Sequence, residues 1–182
     1  TAALVNALGD LLGEQVAGIE ADVIQVDEAN VTGAPHDGAI AAEGINRILR
    51  RVKTTSAVHL CFGNYGGQTI QQGEYDLLVE FLNALEADHV VLEMARRPDA
   101  ELTILERIDP AIEIGLGVID IKDNGVESAE TVARRIEEAA NVIGAERIAY
   151  VHPDCGFWML PRSVADAKMA ALREGRDLYT GA

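Results

Sequence analysis

The sequence predicts an α/β protein whose centre is a parallel β-sheet. Short runs rich in β-branched residues alternate along the chain with longer segments whose apolar residues recur every three or four positions. When strands and helices alternate in this order, each helix crosses back over the sheet and neighbouring strands become parallel. Because no linker or low-complexity tract interrupts the alternation, we expect a single domain over residues 1–182.

Five segments are predicted strands because they are short, largely apolar and bounded by polar or turn residues. They are ADVIQVD (21–27), SAVHLC (56–61), DHVVLE (88–93), IEIGLGVID (112–120) and RIAYVH (147–152). Helical periodicity predicts helices between the strands and at both ends of the chain. These helices span 3–18, 38–52, 74–87, 128–143 and 162–175. For the helix at 128–143, Ser128 is a suitable first residue and Gly144 a suitable stop.

The number of strands leaves two architectures open. A closed eight-stranded barrel typically needs about 250 residues, and this chain has 182. The sheet is therefore either open and doubly wound, or it is part of a TIM-type barrel to which this chain supplies about five βα units. Since unpaired strand edges favour association, we expect an oligomer or a companion N-terminal barrel segment. In both architectures the carboxyl ends of the strands share one rim, where loops carry the chemistry.

Composition narrows the range of partners. The chain has 30 acidic and 15 basic residues, and its net charge of −15 disfavours binding to nucleic acid or to an anionic membrane surface. There is no apolar run of about 18 residues and no secretion signal, so a cytoplasmic location is expected. The two cysteines, Cys61 and Cys155, lie far apart in the sequence. In a reducing compartment they favour a metal site or a reactive thiol, with a disulfide as the alternative.

Residues able to bind a metal or transfer a proton lie at the end of every predicted strand. In chain order they are Asp27 and Glu28, His59 and Cys61, Glu93, Asp120 and Lys122, and His152, Asp154 and Cys155. His59 and Cys61 are two positions apart, so both side chains point to the same side of a strand. Each of them alone is more typical of a buried structural residue. Together they offer two of the four ligands of a tetrahedral zinc ion, and Cys155 and Glu93 are available as the others.

Five segments, in this order and at these separations, resemble the C-terminal catalytic barrel of cobalamin-independent methionine synthase and its relatives. They are VIQVDEA, VHLCFGNYGG, ADHVVLEMARR, IGLGVIDIKDNGVES and AERIAYVHPDCG. The resemblance extends from about residue 20 to about residue 175 and implies a TIM barrel of which this chain holds the last five strands. It implies zinc ligands that are, in this sequence, His59, Cys61, Glu93 and Cys155. It also implies that Asp27, which precedes Glu28, contacts the amino group of homocysteine.

The function implied by the resemblance is a zinc-dependent methyltransferase that methylates the thiol of homocysteine to form methionine. A free thiol has a pKa of about 8.5 and is mostly protonated at neutral pH. Coordination to zinc removes this proton and produces a nucleophilic thiolate. A carboxylate ligand such as Glu93 is the most replaceable of the four and is expected to yield its place to the incoming sulfur.

Two departures from the family pattern concern the methyl donor. Folate-using relatives carry a histidine proton donor in a motif like D-I-H-S-P, where this chain has Lys122 two positions after Asp120. Lys122 and Asp120 are therefore the candidate catalytic residues. The acidic residue that contacts folate in those relatives is matched here by Gly33. The donor is expected to differ from the usual polyglutamyl methylfolate, and a methylated corrinoid protein is a candidate partner.

Three other functions remain open at this stage. The first is zinc-dependent alkylation of another thiol, such as coenzyme M, by an epoxide. The second is a zinc-stabilised fragment without catalytic activity, and the third is a metal-free α/β domain with two buried thiols. NYGG (64–67) predicts either a loop close to a ligand or a plain turn. GLG (115–117) lacks the further glycine and the helix start of a dinucleotide-binding fingerprint.

Overall fold

A computed structural model describes residues 1–64, 68–97 and 99–182. Its sheet consists of β1 (Val23–Glu28), β2 (Thr55–Leu60), β3 (His89–Leu92), β4 (Glu113–Ile119) and β5 (Ile148–Pro153). All pairings between neighbouring strands are parallel. The predicted α/β class and the five predicted strands are confirmed. Of the predicted loop at 64–67, only Asn64 lies within the described residues.

The spatial order of the strands distinguishes the two predicted architectures. A doubly wound sheet reverses its strand order at a switch point, whereas a barrel adds its strands in chain order. The described sheet has the order β1-β2-β3-β4-β5, which is the order of consecutive strands in a barrel. β1 and β5 form the two edges of this sheet.

The helices are α1 (Ala2–Val16), α2 (Gly38–Leu49), α3 (Val79–Asn83), α4 (Ala129–Ile143) and α5 (Arg162–Thr180). The predicted boundaries of α4 are confirmed, because Ser128 caps its first turn and Gly144 follows it with a φ of 86°. The predicted end of α5 at residue 175 is wrong. A Cβ at Gly175 would lie 2.4 Å from the Cβ of Val132, so this glycine allows α5 to pack closely on α4. None of the helices in the described ranges combines the length and apolar composition that a bilayer crossing requires.

The predicted helix at 74–87 is also shorter in the structure. A 3₁₀ turn precedes α3, which ends at Asn83. Asn46 of α2 explains this end, because its Nδ2 donates to the Ala84 carbonyl at 2.8 Å. Its Oδ1 accepts from the Glu86 N–H, also at 2.8 Å. Backbone groups beyond α3 are thus satisfied without a further helical turn.

The core lies between the helices and one face of the sheet. Alternate residues of the central strands point into it and are fully buried: Val58, Leu60, Val90, Leu92, Ile114 and Leu116. A 3₁₀ segment at Asp99–Arg107, which the sequence analysis did not predict, adds Ile104 and Leu105 to this core. Because side chains alternate along a strand, the intervening residues, including His59 and Val91, point to the opposite face. That face also carries Asp27, which is in register with His59, and His152, which is in register with Gly117.

Candidate metal centre

Three side chains that can bind a metal converge at the carboxyl ends of the strands. His59 is the penultimate residue of β2, Cys61 follows that strand, and Cys155 follows β5. Among the described residues they form a group whose ligand atoms all lie within 4.8 Å of one another. His59 and Cys61 are buried, and both cysteines are free. The two sulfurs therefore lie close together without forming a disulfide.

The curvature of the sheet explains why these residues meet. β3 and β4 separate β2 from β5. In a flat sheet, three steps between strands would hold the two backbones about 14 Å apart. Curvature of the barrel kind and the turn after β5 close this gap and bring Cys155 to His59 and Cys61.

Electrostatic interactions inside the cluster shift its pKa values in opposite directions. The interaction between the two sulfurs raises the pKa of Cys61 and lowers that of Cys155. Burial lowers the pKa of His59, but contact with the Cys155 sulfur and the negative charges of Asp27 and Glu93 outweigh burial and raise it. Nε2 of His59 is buried and has no hydrogen-bond partner within the described ranges. A proton or a metal ion is accordingly favoured between this ring and the neighbouring sulfur.

The donor atoms fit a zinc ion. Zinc binds thiolate sulfur at about 2.3 Å and imidazole nitrogen at about 2.1 Å in tetrahedral geometry, which places its donors about 3.8 Å apart. The three donors already lie within 4.8 Å of one another. Modest side-chain adjustment suffices for all three to reach one ion, and a fourth position is left for another ligand.

Glu93, the predicted fourth ligand, lies beside the cluster and binds a lysine. Its Oε1 accepts a hydrogen bond from Nζ of Lys122 at 2.6 Å, and its Oε2 accepts from the Phe62 N–H at 3.2 Å. Both side chains of the Glu93–Lys122 pair are only 2% exposed. Glu93 is not a member of the three-residue group found among the described residues. Its role as a metal ligand therefore stays a prediction.

Tyr75 fixes the backbone of Glu93. Its hydroxyl accepts from the Glu93 N–H at 2.9 Å and lies within 3.3 Å of the carbonyl oxygens of Leu60 and Glu93. Its ring packs edge-on against Phe62, with the ring centroids 5.1 Å apart. Tyr75 is not among the predicted site residues, because nothing in its helical pattern distinguishes a tyrosine that bridges two strand ends from one that fills the core.

The loop after β4 carries Asp120 and Lys122. Oδ1 of Asp120 accepts from the backbone N–H of Lys122 at 2.7 Å, and Oδ2 lies 3.6 Å from Nη1 of Arg96. The N–H of Asp120 donates to Oε1 of Glu127 at 2.8 Å. Asp120 thus shapes the loop, whereas Lys122 contacts Glu93, the predicted fourth ligand.

A second buried ion pair supports this loop. Lys168 of α5 is 0% exposed, and its Nζ donates to Oε2 of Glu127 at 2.8 Å and to the Gly125 carbonyl. Burial alone would raise the pKa of Glu127, but the hydrogen bonds from Lys168 and from the Asp120 N–H lower it. Neither member of the pair is among the predicted site residues. The available signal was the position of Lys168 four residues before Leu172, on the apolar stripe of the helix.

Asp27 lies on the same side of the sheet as His59. The two residues are paired in the parallel register of β1 and β2, and the charge of Asp27 helps to raise the pKa of His59. Its Oδ1 accepts from Nε2 of Gln25 at 2.7 Å. Asp27 is exposed to solvent, so a ligand at the rim can reach its carboxylate.

Glu28 binds backbone groups of the turn that follows β1. Its Oε1 accepts from the backbone N–H groups of Asn30 and Val31, which fixes the turn after β1. In that turn, Oγ1 of Thr32 donates to the carbonyl of Cys61 at 3.2 Å. The turn that Glu28 fixes therefore contacts the backbone of Cys61, one of the three clustered residues.

Asp154 connects the loops after β3 and β5. Its Oδ1 accepts from the N–H groups of Met94 and Ala95 at 3.0 and 2.9 Å. Its Oδ2 is buried without a hydrogen-bond partner in the part of the chain that the structure describes, and burial raises the pKa of Asp154 to about 7. A Cβ at Gly117 would lie 2.3 Å from Oδ1, so this glycine makes room for the carboxyl group. These contacts fix the residue directly before Cys155.

His152 lies on β5, close enough to His59 for the charge of that ring to affect its pKa. Its Nδ1 lies 2.6 Å from the Pro153 carbonyl, and its Nε2 is buried with no hydrogen-bond partner in the described ranges. Burial lowers the pKa of His152, so the ring is neutral at neutral pH. A Cβ at Gly115 would lie 3.3 Å from its Nε2. Close packing around His152 and Asp154 thus accounts for the glycines of GLG (115–117).

Asp154 is expected to make the metal-free protein less stable as pH rises from about 5.5 to about 7.5. The native carboxyl group holds its proton up to about pH 7, whereas an unfolded aspartate loses it near pH 3.9. The native state therefore binds more protons across this range, and the free energy of unfolding falls by about 2 kcal/mol. Urea unfolding with a chelator present should show this slope in the wild type but not in Asp154→Asn. Equal slopes in the two proteins would contradict the assignment.

The chain is similar to known proteins along nearly its whole length. The family model described as "Cobalamin-independent synthase, Catalytic domain" matches residues 2–177. The methionine synthase of Thermococcus kodakarensis is 32% identical over 158 residues, which are 87% of this chain and 44% of the relative. The methionine synthase of Pyrococcus abyssi is 27% identical over 168 residues, 91% of this chain and 46% of the relative. The chain thus spans about half the length of these curated relatives.

A solved structure agrees with the fold. The B12-independent methionine synthase from Shewanella sp. W3-18-1, in complex with selenomethionine, matches with a TM-score of 0.78 at 21% sequence identity. The match covers 99% of this chain and 55% of that chain. At this identity the likeness concerns the fold alone. It confirms that the five strands and their helices are arranged as part of a larger barrel.

Proposed function

The chain belongs to the family of cobalamin-independent methionine synthase catalytic domains, and from this membership we propose that it is a zinc-dependent methyltransferase acting on the thiol of homocysteine. The observation that carries the proposal is the convergence of His59, Cys61 and Cys155 within 4.8 Å at the rim of the sheet. The product of the reaction is methionine. Residues 1–182 act in this proposal as one partial barrel in the cytoplasm, where a reducing environment keeps both thiols free.

The metal ligands have distinct roles in the proposal. His59, Cys61 and Cys155 hold the ion, and Glu93 is its exchangeable fourth ligand. Zinc, when bound, supplies a Lewis acid that lowers the pKa of a substrate thiol and keeps it nucleophilic at neutral pH. Burial of His59 and Cys61 supports this role, because a site from which water is largely excluded strengthens the attraction between ligand and ion.

Substrate binding is assigned to Asp27, with Glu28 in support. The carboxylate of Asp27 is exposed at the rim, in register with His59. An ammonium group bound there lies close enough to the metal centre for the thiol of the same small amino acid to reach it. Glu28 fixes the turn that contacts the backbone of Cys61 through Thr32.

The methyl donor is proposed to enter from the side of Lys122 and Asp120. A cavity of about 280 Å³ lies there, lined in part by Gln68, Lys122 and Met159. At Gly33, the position of the folate contact in relatives, a Cβ would lie 1.8 Å from Oε1 of the Gln71 side chain. An acidic side chain at this position would require the flexible end of the Gln71 side chain to move. The absence of an acidic residue at position 33 supports a donor other than polyglutamyl methylfolate, and a methylated corrinoid protein is the proposed partner.

The partner that completes the barrel is a further part of the proposal. β1 and β5 each have one unpaired edge in the described sheet. Unpaired parallel edges associate readily. A companion N-terminal barrel segment or another protomer is proposed to pair with them and to complete the substrate site.

X-ray absorption at the zinc edge tests this function. The purified protein is expected to hold about one zinc ion per chain, with two sulfur ligands and one imidazole. Adding homocysteine should add one sulfur ligand and remove one oxygen ligand, because the carboxylate yields its place. An unchanged set of ligands would instead support a zinc-stabilised fragment without catalytic activity.

Product analysis then identifies the donor and acceptor. The protein is incubated with homocysteine and either methylcobalamin or methyltetrahydrofolate, and in parallel with coenzyme M and an epoxide. Methionine formed from methylcobalamin supports the proposal. Alkylated coenzyme M, without methionine in the other reactions, would assign the chain to the epoxide-opening class.

Asp27→Asn should weaken homocysteine binding by about tenfold, because the ammonium group loses its counter-charge.

A further inference from the structure

We propose that Lys122 is a positioning residue that receives the Glu93 carboxylate when a substrate thiol replaces it on the metal. The inference rests on the proposed function, since it assigns a residue to the ligand exchange at that same site. Lys122 acts in this role through Glu93 and does not contact the substrate thiol. The nearby ammonium group gives Glu93 two alternative cationic partners, the metal ion and the lysine.

The contacts of Glu93 are the first support for this role. Its Oε1 accepts from Nζ of Lys122 at 2.6 Å, and its Oε2 accepts from the Phe62 N–H at 3.2 Å. Both carboxylate oxygens therefore have a donor that the protein itself supplies. The carboxylate is also close enough to His59 and Cys61 to influence both of their pKa values. Glu93 thus contacts the lysine directly and acts electrostatically on two members of the cluster.

Burial makes the lysine necessary for exchange. The side chains of Glu93 and Lys122 are both 2% exposed, so water cannot solvate either charge. A buried carboxylate without a cationic partner is strongly unfavourable. Release from a metal ion would leave the Glu93 carboxylate buried without a cationic partner, unless an ammonium group already fixed nearby paired with it. Lys122 removes this obstacle and makes the fourth position available to the thiol.

The backbone around the pair is well fixed. The hydroxyl of Tyr75 accepts from the Glu93 N–H at 2.9 Å. On the opposite side, the N–H of Lys122 donates to Asp120 at 2.7 Å, and Asp120 is itself connected to Glu127. With the backbone held in this way, rotation of the Glu93 side chain is the motion proposed for the change of partner. The exchange breaks one metal–oxygen bond and forms one metal–sulfur bond, and the thiol proton leaves to solvent.

Homocysteine titration of the full chain loaded with cobalt(II) tests the proposal. Visible absorption of the cobalt ion reports its ligands, and the new thiolate-to-cobalt absorption gives the dissociation constant of homocysteine. Lys122→Met should weaken homocysteine binding by about tenfold or more, because the displaced carboxylate loses its partner. Its spectrum before thiol addition should show the carboxylate still bound. Lys122→Arg should restore binding to within about threefold of the wild type, since it keeps the cation.

A double-mutant cycle separates this role from a merely structural one. In a Glu93→Gln background no carboxylate competes with the thiol, so adding Lys122→Met should change the dissociation constant by less than about twofold. An equal loss in both backgrounds would show that Lys122 supports the fold instead, and would overturn the proposal. Lys122→Gln is the second neutral variant, should Lys122→Met fail to fold.

The outcomes also distinguish this inference from the proposed function. If homocysteine adds a sulfur ligand in the wild type and in Lys122→Met with equal affinity, only the role of Lys122 is overturned. If homocysteine adds no sulfur ligand in the wild type, the proposed function fails together with the inference.

Discussion

Replacing Cys155 with serine is expected to abolish stoichiometric zinc binding. The Cys155 sulfur lies within 4.8 Å of the donor atoms of both His59 and Cys61, so its loss leaves only two members of the cluster. A serine hydroxyl stays protonated at neutral pH and is not among the ligands that zinc prefers. We expect the dissociation constant for zinc to rise by at least about 100-fold. Metal analysis after gel filtration measures the number of zinc ions per chain. Competition against a chromophoric chelator measures the dissociation constant for zinc.

A matched pair of histidine variants provides the control. His59→Gln removes the imidazole of the cluster and should lose zinc as Cys155→Ser does. His36→Gln should retain about one zinc ion per chain, because its side chain is 79% exposed and lies outside the cluster. Zinc retained at wild-type affinity in Cys155→Ser would show that the metal, if any, binds elsewhere.

The second large effect is expected on stability. Lys168→Met should lower the free energy of unfolding by about 3 kcal/mol, because it leaves the buried Glu127 carboxylate with only a more distant cation, Nη1 of Arg135 at 3.5 Å. Lys168 is 0% exposed, and its Nζ donates to Glu127 and to the Gly125 carbonyl. The native pKa of Glu127 is lowered. Its stabilisation is therefore present above the unfolded pKa of about 4.3 and is lost as the pH falls further.

Urea unfolding of the metal-free protein at neutral pH measures this effect. Lys53→Met is the matched control, since Lys53 is exposed and its one hydrogen bond among the described residues is to the Ala17 carbonyl. The control should change the free energy of unfolding by less than about 0.5 kcal/mol. The double variant Lys168→Met with Glu127→Gln should recover part of the loss, because it removes the buried charge that has lost its closest cation. A loss in Lys168→Met as small as that of the control would contradict a stabilising role for the pair.

Local patterns were sufficient to predict much of the fold. Period-two and period-3.6 apolar patterns identified the five strands and most of the helices, because each pattern reflects which face of an element is buried. The boundaries of α4 followed from Ser128 and Gly144, whose effects act within one helical turn. The helix ends that were predicted wrongly depend on residues far away in the sequence. Asn46 ends α3 from another helix, and Gly175 meets Val132 across a helix interface.

In the candidate site too, local sequence patterns predicted some features, whereas others depend on residues far apart in the sequence. The spacing of His59 and Cys61 was informative, since residues two apart share a face of a strand. The approach of Cys155 depends on the curvature of the whole sheet, which no local pattern specifies. The contact between Lys122 and Glu93 depends on how two loops after different strands are placed. Interactions between residues far apart in sequence are therefore the part of the site that required the structure.

Gly117 limits how this rim can diversify during evolution. The smallest side chain there would bring a Cβ to 2.3 Å from Oδ1 of Asp154 and to 2.6 Å from the Leu92 carbonyl. Asp154 directly precedes Cys155, so even a methyl group at this buried strand position acts on a candidate metal ligand. Mutational routes to new substrates must leave this glycine unchanged and alter the surrounding loops instead.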